Sequence, residues 1–349
     1  MPPSSPASAK RSASRLAAPV RGSGAVGRAL PGLAWCAAAV GLTLVLHHLV
    51  PTVSPLLVAV LLGVLLTNTV GLPAVAQPGL AFASKRLLRL GVALLGLQLV
   101  LSDIVSLGVG LCLTVVAVVA LGIVGTCAAG RALGVPAGQR LLIACGFSIC
   151  GAAAVAAADG VVDSDEEDVA SAIALVVVFG TAMIAAVPLA ATVLGLSTEQ
   201  AGLWAGGSIH EVAQVVAVGG ALGGSALAAA VVVKLARVLM LAPVLVVLGW
   251  RQRRTTRARG ATSHPPLVPL FVLGFLGMVA LRTTGVLGQP VIDAAQTAQT
   301  VLLSAAMFAL GCSVRRSALR KVGPRPLALA LVSTLIVALT ALTGVLVST

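Results

Sequence analysis

Long apolar runs recur from Gly32 to the end of this 349-residue chain, separated only by short turns. Most are long enough to cross about 30 Å of hydrocarbon as helices. At that depth backbone polar groups find partners only inside a helix or a closed barrel. Only 9% of the residues are charged, 58% are apolar, and the mean hydropathy is +1.09, well outside the range of a soluble domain. Membrane barrels alternate polar and apolar residues and carry aromatic girdles. Here no alternation is evident, aromatics make up 3%, and there is no tyrosine. The fold class is therefore an all-α polytopic membrane protein.

Eleven spans are expected, at about 32–50, 53–70, 79–101, 105–130, 138–160, 168–195, 200–222, 225–249, 266–284, 289–312 and 326–348. The third, fifth and tenth carry the most polar residues or glycines. With this count, 20 of the 23 basic residues fall on one side, including Lys85, Arg86, Arg131, Arg140, Arg251, Arg254 and Arg325. Basic turns stay in the cytoplasm, so the N-terminus is expected inside, the C-terminus outside, and the acidic run 163–168 (DSDEED) outside. The formal net charge of +13 does not indicate nucleic acid, because the basic residues lie between spans rather than among aromatics on a soluble face.

Residues 1–30, rich in Ser, Pro, Ala and Arg and lacking acids, read as a disordered basic cytoplasmic tail. Residues 31–349 read as one transmembrane domain with repeat-like segments 53–195 and 200–348. The six cysteines lie in or at the ends of apolar runs with no CxxC spacing, so they read as small buried apolar residues rather than as a disulfide frame or metal site. No cofactor is implied.

Two segments match at an offset of 60, GFSICGAAAVAAADG (146–160) and GGSIHEVAQVVAVGG (206–220). The spans after them also correspond, VVVFGTAMIAAVP (176–188) with VVVKLARVLMLAP (231–243). Repeats with broken helices mark secondary transporters. With eleven spans the fifth and seventh run in the same direction, whereas an inverted repeat needs opposite directions. Parallel repeats and a re-entrant span both stay open.

The second copy holds the unusual chemistry. Ser208 and Glu211 have the spacing of a capping box after Gly206 and Gly207, and Ser148 precedes Gly151 in the first copy. If Ser148 and Ser208 each start a half-helix, two positive helix ends face one anion. Substrate-binding candidates are Ser148, Gly151, Gly206, Gly207, Ser208, His210 and Gln214. Glu211 with His210 is the candidate proton carrier, because ionisable groups are costly at membrane depth. Lys234 and Arg237 balance charge, and their counterparts in the first copy are Phe179 and Ala182. Gln98, Gln296 and Gln299 read as helix–helix hydrogen bonds, and Asn68 as one near a span end. HEVAQ begins like a zinc-protease motif, but Gln214 stands where the second histidine belongs. No nucleotide loop or hydrolase motif accompanies it, so an enzyme is not expected.

GGSIHEVAQVVAVGG, SICGAAAVAA, KRLLRLGVALLGLQL and VVVKLARVLMLAPV together resemble the bacterial YeiH-type membrane proteins that carry the label sulfate exporter. The resemblance runs from about Asn68 to the C-terminus. It implies a multi-pass protein of the bacterial plasma (inner) membrane. The implied fold is similar to those of the bile acid symporters and sodium–proton antiporters, with crossed broken helices. With the residues above, the expected function is secondary transport of a small anion, sulfate or a related sulfur oxyanion or sulfonate; Glu211 with His210 points to protons as the coupling ion, which stays open. A sodium-coupled organic-anion carrier is the alternative, and a structural or sensory membrane protein a more distant one. Expected partners are the anion, a coupling ion (H+ or Na+) and the lipid bilayer. A homodimer stays open.

Overall fold

The computed structural model describes residues 24–50, 55–162, 164–258, 270–314 and 323–349, and these contain helices and no strand. Their helices are α1 (Gly24–Leu49), α2 (Pro55–Thr69), α3 (Gln77–Phe82), α4 (Leu88–Leu95), α5 (Leu101–Ser106), α6 (Gly108–Ala132), α7 (Ala137–Ser148), α8 (Ala152–Val162), α9 (Glu166–Val193), α10 (Thr198–Ser208), α11 (Val212–Leu222), α12 (Gly224–Leu239), α13 (Leu241–Ala258), α14 (Leu270–Thr283), α15 (Gln289–Ser313) and α16 (Pro324–Ser348). A π-helical turn joins α3 to α4. Among the described residues six stretches are long and apolar enough to cross a bilayer, Gly27–Leu49, Gly108–Ala132, Glu167–Val193, Ser225–Gln252, Gln289–Ser313 and Pro324–Ser348. Val58–Thr69 and Leu270–Thr283 are shorter apolar helices. On α16 the exposed residues Leu331, Leu335, Leu339 and Leu346 fall on one stripe, an apolar surface suited to lipid.

The expected tail 1–30 lies largely outside the described residues, but α1 already begins at Gly24. Also outside are Arg259, His264, Arg315, Arg316, Arg320, Lys321 and Asp163.

Small residues set how closely the long helices pair. A Cβ on Gly63 of α2 would overlap the α15 backbone at Phe308, and one on Gly311 would overlap Val60. Between α6 and α16, Gly122 faces Val337, Gly344 faces Thr114, and Thr126 donates to Ser333 at 2.7 Å. Packing of this kind holds membrane helices together where no hydrophobic force acts between them.

The segments 138–160 and 200–222 do not cross; each folds back on itself. Gln139 in the first turn of α7 donates to Ser171 in the second turn of α9 at 2.7 Å. A Cβ on Gly138 would stand 3.5 Å from the Asp168 carboxylate. At 1.5 Å per residue, a straight path through α7 and α8 would put these residues more than about 30 Å apart. So α8 returns to the face where α7 begins. In the same way a Cβ on Gly202 near the start of α10 would overlap Ala226 near the start of α12, so α11 returns too.

The two hairpins enter from opposite faces. The first starts beside Arg131, Arg140 and Arg325, the last lying within 4 Å of a Cβ on Gly134. The second starts beside the end of α16, where Gln200 donates to Thr349 at 3.1 Å. The repeat is therefore inverted, and the half-helices fold back rather than continue through as broken spans. The acidic segment is corrected as well. Asp168 lies on the basic face, beside α7, not opposite it, because α8 does not carry the chain across.

Candidate functional site

Each hairpin tip is made by a local break. In the first, the Gly151 N–H donates to Gly146 O at 2.8 Å, and Gly151 takes φ +81°, a left-handed conformation that favours glycine. In the second, Ile209 and Glu211 are extended, and α11 restarts at Val212 with Glu211 as its N-cap. The Glu211 N–H donates to the Gln214 carboxamide at 3.2 Å, one half of a capping box.

The box expected at Ser208–Glu211 is thus displaced by one turn. Ser148 and Ser208 are the last residues of α7 and α10, not the starts of half-helices. Ser208 stays helical and donates to Trp204 O at 2.7 Å. The Ser148 hydroxyl is buried without a hydrogen-bond partner. Gly206 and Gly207 do not break α10. A Cβ on Gly206 would overlap the Ala230 backbone, so that glycine lets α12 pack against α10.

Two helix C-terminal ends therefore meet at membrane depth, where their last carbonyls lack helical partners and carry partial negative charge. Lys234 and Arg237, fully buried on one face of α12, satisfy them. The Lys234 ammonium donates to Ile149 O (3.0 Å), Ile209 O (2.8 Å) and His210 O (2.6 Å). Arg237 donates from Nε to Ser148 O (3.1 Å) and from Nη2 to Phe147 O (2.9 Å). Its Nη1 donates to Gly207 O (2.8 Å), Ile209 O (3.1 Å) and Gly206 O (3.4 Å). This pair locks the two tips together.

The helix starts at Ala152 and Val212 meet nearby. The Ala152 N–H donates to Glu211 Oε1 at 2.5 Å, so Glu211 caps the first hairpin's return helix from the second hairpin. A Cβ on Gly151 would overlap that carboxylate, and one on Gly180 of α9 would overlap the Gln214 carboxamide.

His210 bridges three elements. Its Nδ1 lies 3.2 Å from Phe147 O and its Nε2 3.1 Å from the Thr334 hydroxyl of α16. A carbonyl can only accept, so Nδ1 carries a proton. The ring also packs on Phe147, with centroids 4.4 Å apart.

A cavity of about 590 Å³ leads to this centre from the face opposite the basic one. His47, Pro55 and Asp293 stand toward its mouth, and Cys150, Ala153, Glu211 and Val212 at its hairpin end. Of the sequence candidates only Glu211 lines it. Ser148, Ser208, His210, Lys234 and Arg237 are fully buried, and Gln214 is nearly so. The opposite wall, from α2, α4 and α15, was not legible in the sequence because its residues are distant and mostly apolar. Gln98 does donate to Gln299, as expected, but both residues also face the cavity. Asn68 likewise bonds across helices, to Val314 O at 2.9 Å.

The family model for "Conserved hypothetical protein 698" matches residues 31–330. A UPF0324 membrane protein of Corynebacterium glutamicum is 55% identical over 318 residues, covering 91% of this chain and 92% of the relative.

The chain belongs to the UPF0324 family.

Its relatives include the inner membrane protein YeiH of Salmonella typhi, 37% identical over 86% of this chain and 89% of the relative. YeiH of Escherichia coli K12 is 36% identical over 87% and 89%. No solved structure matches. This UPF0324 chain is thus a multi-pass membrane protein of the YeiH type.

Proposed function

We propose that this protein is a secondary carrier, not an enzyme, that moves a small anion, a sulfur oxyanion or sulfonate, in exchange for or together with protons. The observation that carries this reading is the meeting of two opposed hairpin tips at one ionic centre, with a cavity from one face ending at Glu211. The basic face is read as cytoplasmic, with nine crossings and two re-entrant hairpins, the N-terminus inside and the C-terminus outside.

Charge supports an anion. Lys234 and Arg237 bring two formal positive charges to the centre and Glu211 one negative. Two opposed helix ends and two helix starts largely offset each other there. A buried excess of one cation favours an anionic companion. The binding end moves from Ser148 and Ser208, where the sequence put it, to the helix starts at Ala152 and Val212. Glu211 already places a carboxylate there, so a substrate anion competes with it, and protonation of Glu211 releases the place. The sodium-coupled alternative needs free carbonyls near Gly206 and Gly207, and those carbonyls accept from Arg237.

Uptake of labelled sulfate and methanesulfonate into reconstituted vesicles under an imposed pH gradient tests the reading. Wild-type protein accumulates anion with the gradient, and Glu211→Gln loses at least tenfold of that accumulation. Unchanged gradient-driven uptake removes Glu211 from coupling. Sodium dependence without pH dependence selects the alternative.

A further inference from the structure

The walls of the cavity differ from its hairpin end. Leu88, Val92 and Leu95 present successive turns of α4, Val212 and Val216 face them from α11, and Leu303 closes the side from α15. Toward the mouth the lining turns to amides and hydroxyls, including Gln98, Gln299 and Thr300. The ionisable residues among those lining it are His47, Glu211 and Asp293; no Lys or Arg is among them. A volume of about 590 Å³ lies in the range of pockets that hold organic molecules, about 300–1,000 Å³. A bare inorganic dianion would shed water against leucine and valine with no cation on the wall to replace it.

We infer that the substrate is an amphipathic organic anion: one anionic head at the hairpin tips beside Glu211, and a short apolar body along the α4–α11–α15 wall. This rests on the carrier reading above and narrows it from sulfur oxyanions in general to those with a hydrocarbon part. The apolar wall supplies affinity through burial, and the tips supply orientation. Head and body are then selected by different parts of the chain. The head is read by the two hairpin tips, the body by α4, α15 and the cavity-facing side of α11.

The test is a homologous series on the purified full-length protein: sulfate, then methane-, propane-, butane- and hexanesulfonate, with binding followed by thermal shift and calorimetry. Each methylene buried is expected to tighten binding about fourfold, until the body outgrows the cavity. Val216 is partly exposed on the wall, so Val216→Asn changes the lining without opening the core. It is expected to flatten the chain-length series, weakening butanesulfonate binding by a larger factor than methanesulfonate binding. A wild-type series with no chain-length dependence, or sulfate bound as tightly as butanesulfonate, overturns the inference. A series that Val216→Asn does not alter overturns the assigned wall. The two readings fail separately. Chain-length-dependent binding without any exchange in vesicles refutes the carrier and keeps the site. Sulfate exchange with a flat series keeps the carrier and refutes the apolar body.

Discussion

The two hairpins have the same outline and unequal chemistry. α7–α8 and α10–α11 each run to a break, turn, and return, and each is followed by a long helix lying beside its outgoing half. At matching positions the first has Cys150, Gly151 and Ala154 where the second has His210, Glu211 and Gln214. In the following helices, Phe179 and Ala182 stand opposite Lys234 and Arg237. The small residues of the first copy are receptors for the large ones of the second. Gly151 leaves room for the Glu211 carboxylate, Gly180 leaves room for Gln214, and the carbonyls of Phe147, Ser148 and Ile149 accept from Arg237 and Lys234. Two opposed copies of one motif converge on a single small volume. A second set of long polar side chains would have to occupy space and partners already taken. The two copies share a frame, and their unequal tips let one set of long polar side chains fill the volume between them.

Removing the clamp that joins the copies should have the largest effect. Arg237→Met leaves carbonyls from both α7 and α10 without donors inside a buried site. At about 1–3 kcal/mol for each buried acceptor left unmade, the total exceeds about 3 kcal/mol. The expected outcome is a fall of about 5 °C or more in the melting temperature in detergent, or failure to accumulate in the membrane. Arg237→Lys keeps the charge but not the planar fork, so it should recover only part of that loss. A methionine variant with wild-type melting would mean that the tips do not depend on this clamp.

An intermediate effect is expected at the receptor glycine. Gly151→Ala meets two obstacles, a left-handed backbone worth about 1–2 kcal/mol against a side chain and overlap with the Glu211 carboxylate. The single variant should lose stability and binding together. In Gly151→Ala with Glu211→Ala the overlap is gone, so the melting temperature should rise above that of the single variant while pH-driven uptake stays lost. If the double variant is no more stable than the single one, backbone strain alone explains the glycine, and the pairing of Gly151 with Glu211 is wrong.

How far these features could be read in advance differs with the scale of the pattern. Helical membrane architecture followed from apolar run length, because lipid leaves few backbone solutions. The GFSIC and GGSIH segments gave both breaks, to within three residues, through their offset of 60. Direction did not follow, since a folded-back pair of half-helices and a crossing broken helix have the same length and hydropathy. It took the contacts of Gln139 with Ser171 and of Gly202 with Ala226 to decide. The position of the helix starts was also misplaced. Ser-x-x-Glu is a fair capping signal, but Ser208 can equally bond back to Trp204 and remain helical, and the next turn offered Glu211 with Gln214. The roles of Lys234 and Arg237 lay between these cases. Their charge was conspicuous, but their partners are backbone carbonyls, which no side-chain pattern records.

The smallest effect tests that correction directly. Ser148 and Ser208 are identical residues at equivalent places, but one hydroxyl is buried without a partner and the other donates to Trp204 O. A buried hydroxyl without a partner costs about 1–3 kcal/mol relative to an apolar group that fits, and a Cβ on Gly122 would touch it, so the space is already tight. Ser148→Ala should therefore be neutral or stabilising. Ser208→Ala should cost no more than about 1 kcal/mol, because one ordinary hydrogen bond is lost. Neither residue lines the cavity, so sulfonate affinity and uptake should stay within about twofold in both. The informative contrary result is Ser148→Ala with unchanged melting and abolished uptake. That would return Ser148 to the substrate and place the anion on the side of the helix ends, against the charge pattern that Lys234, Arg237 and Glu211 set up.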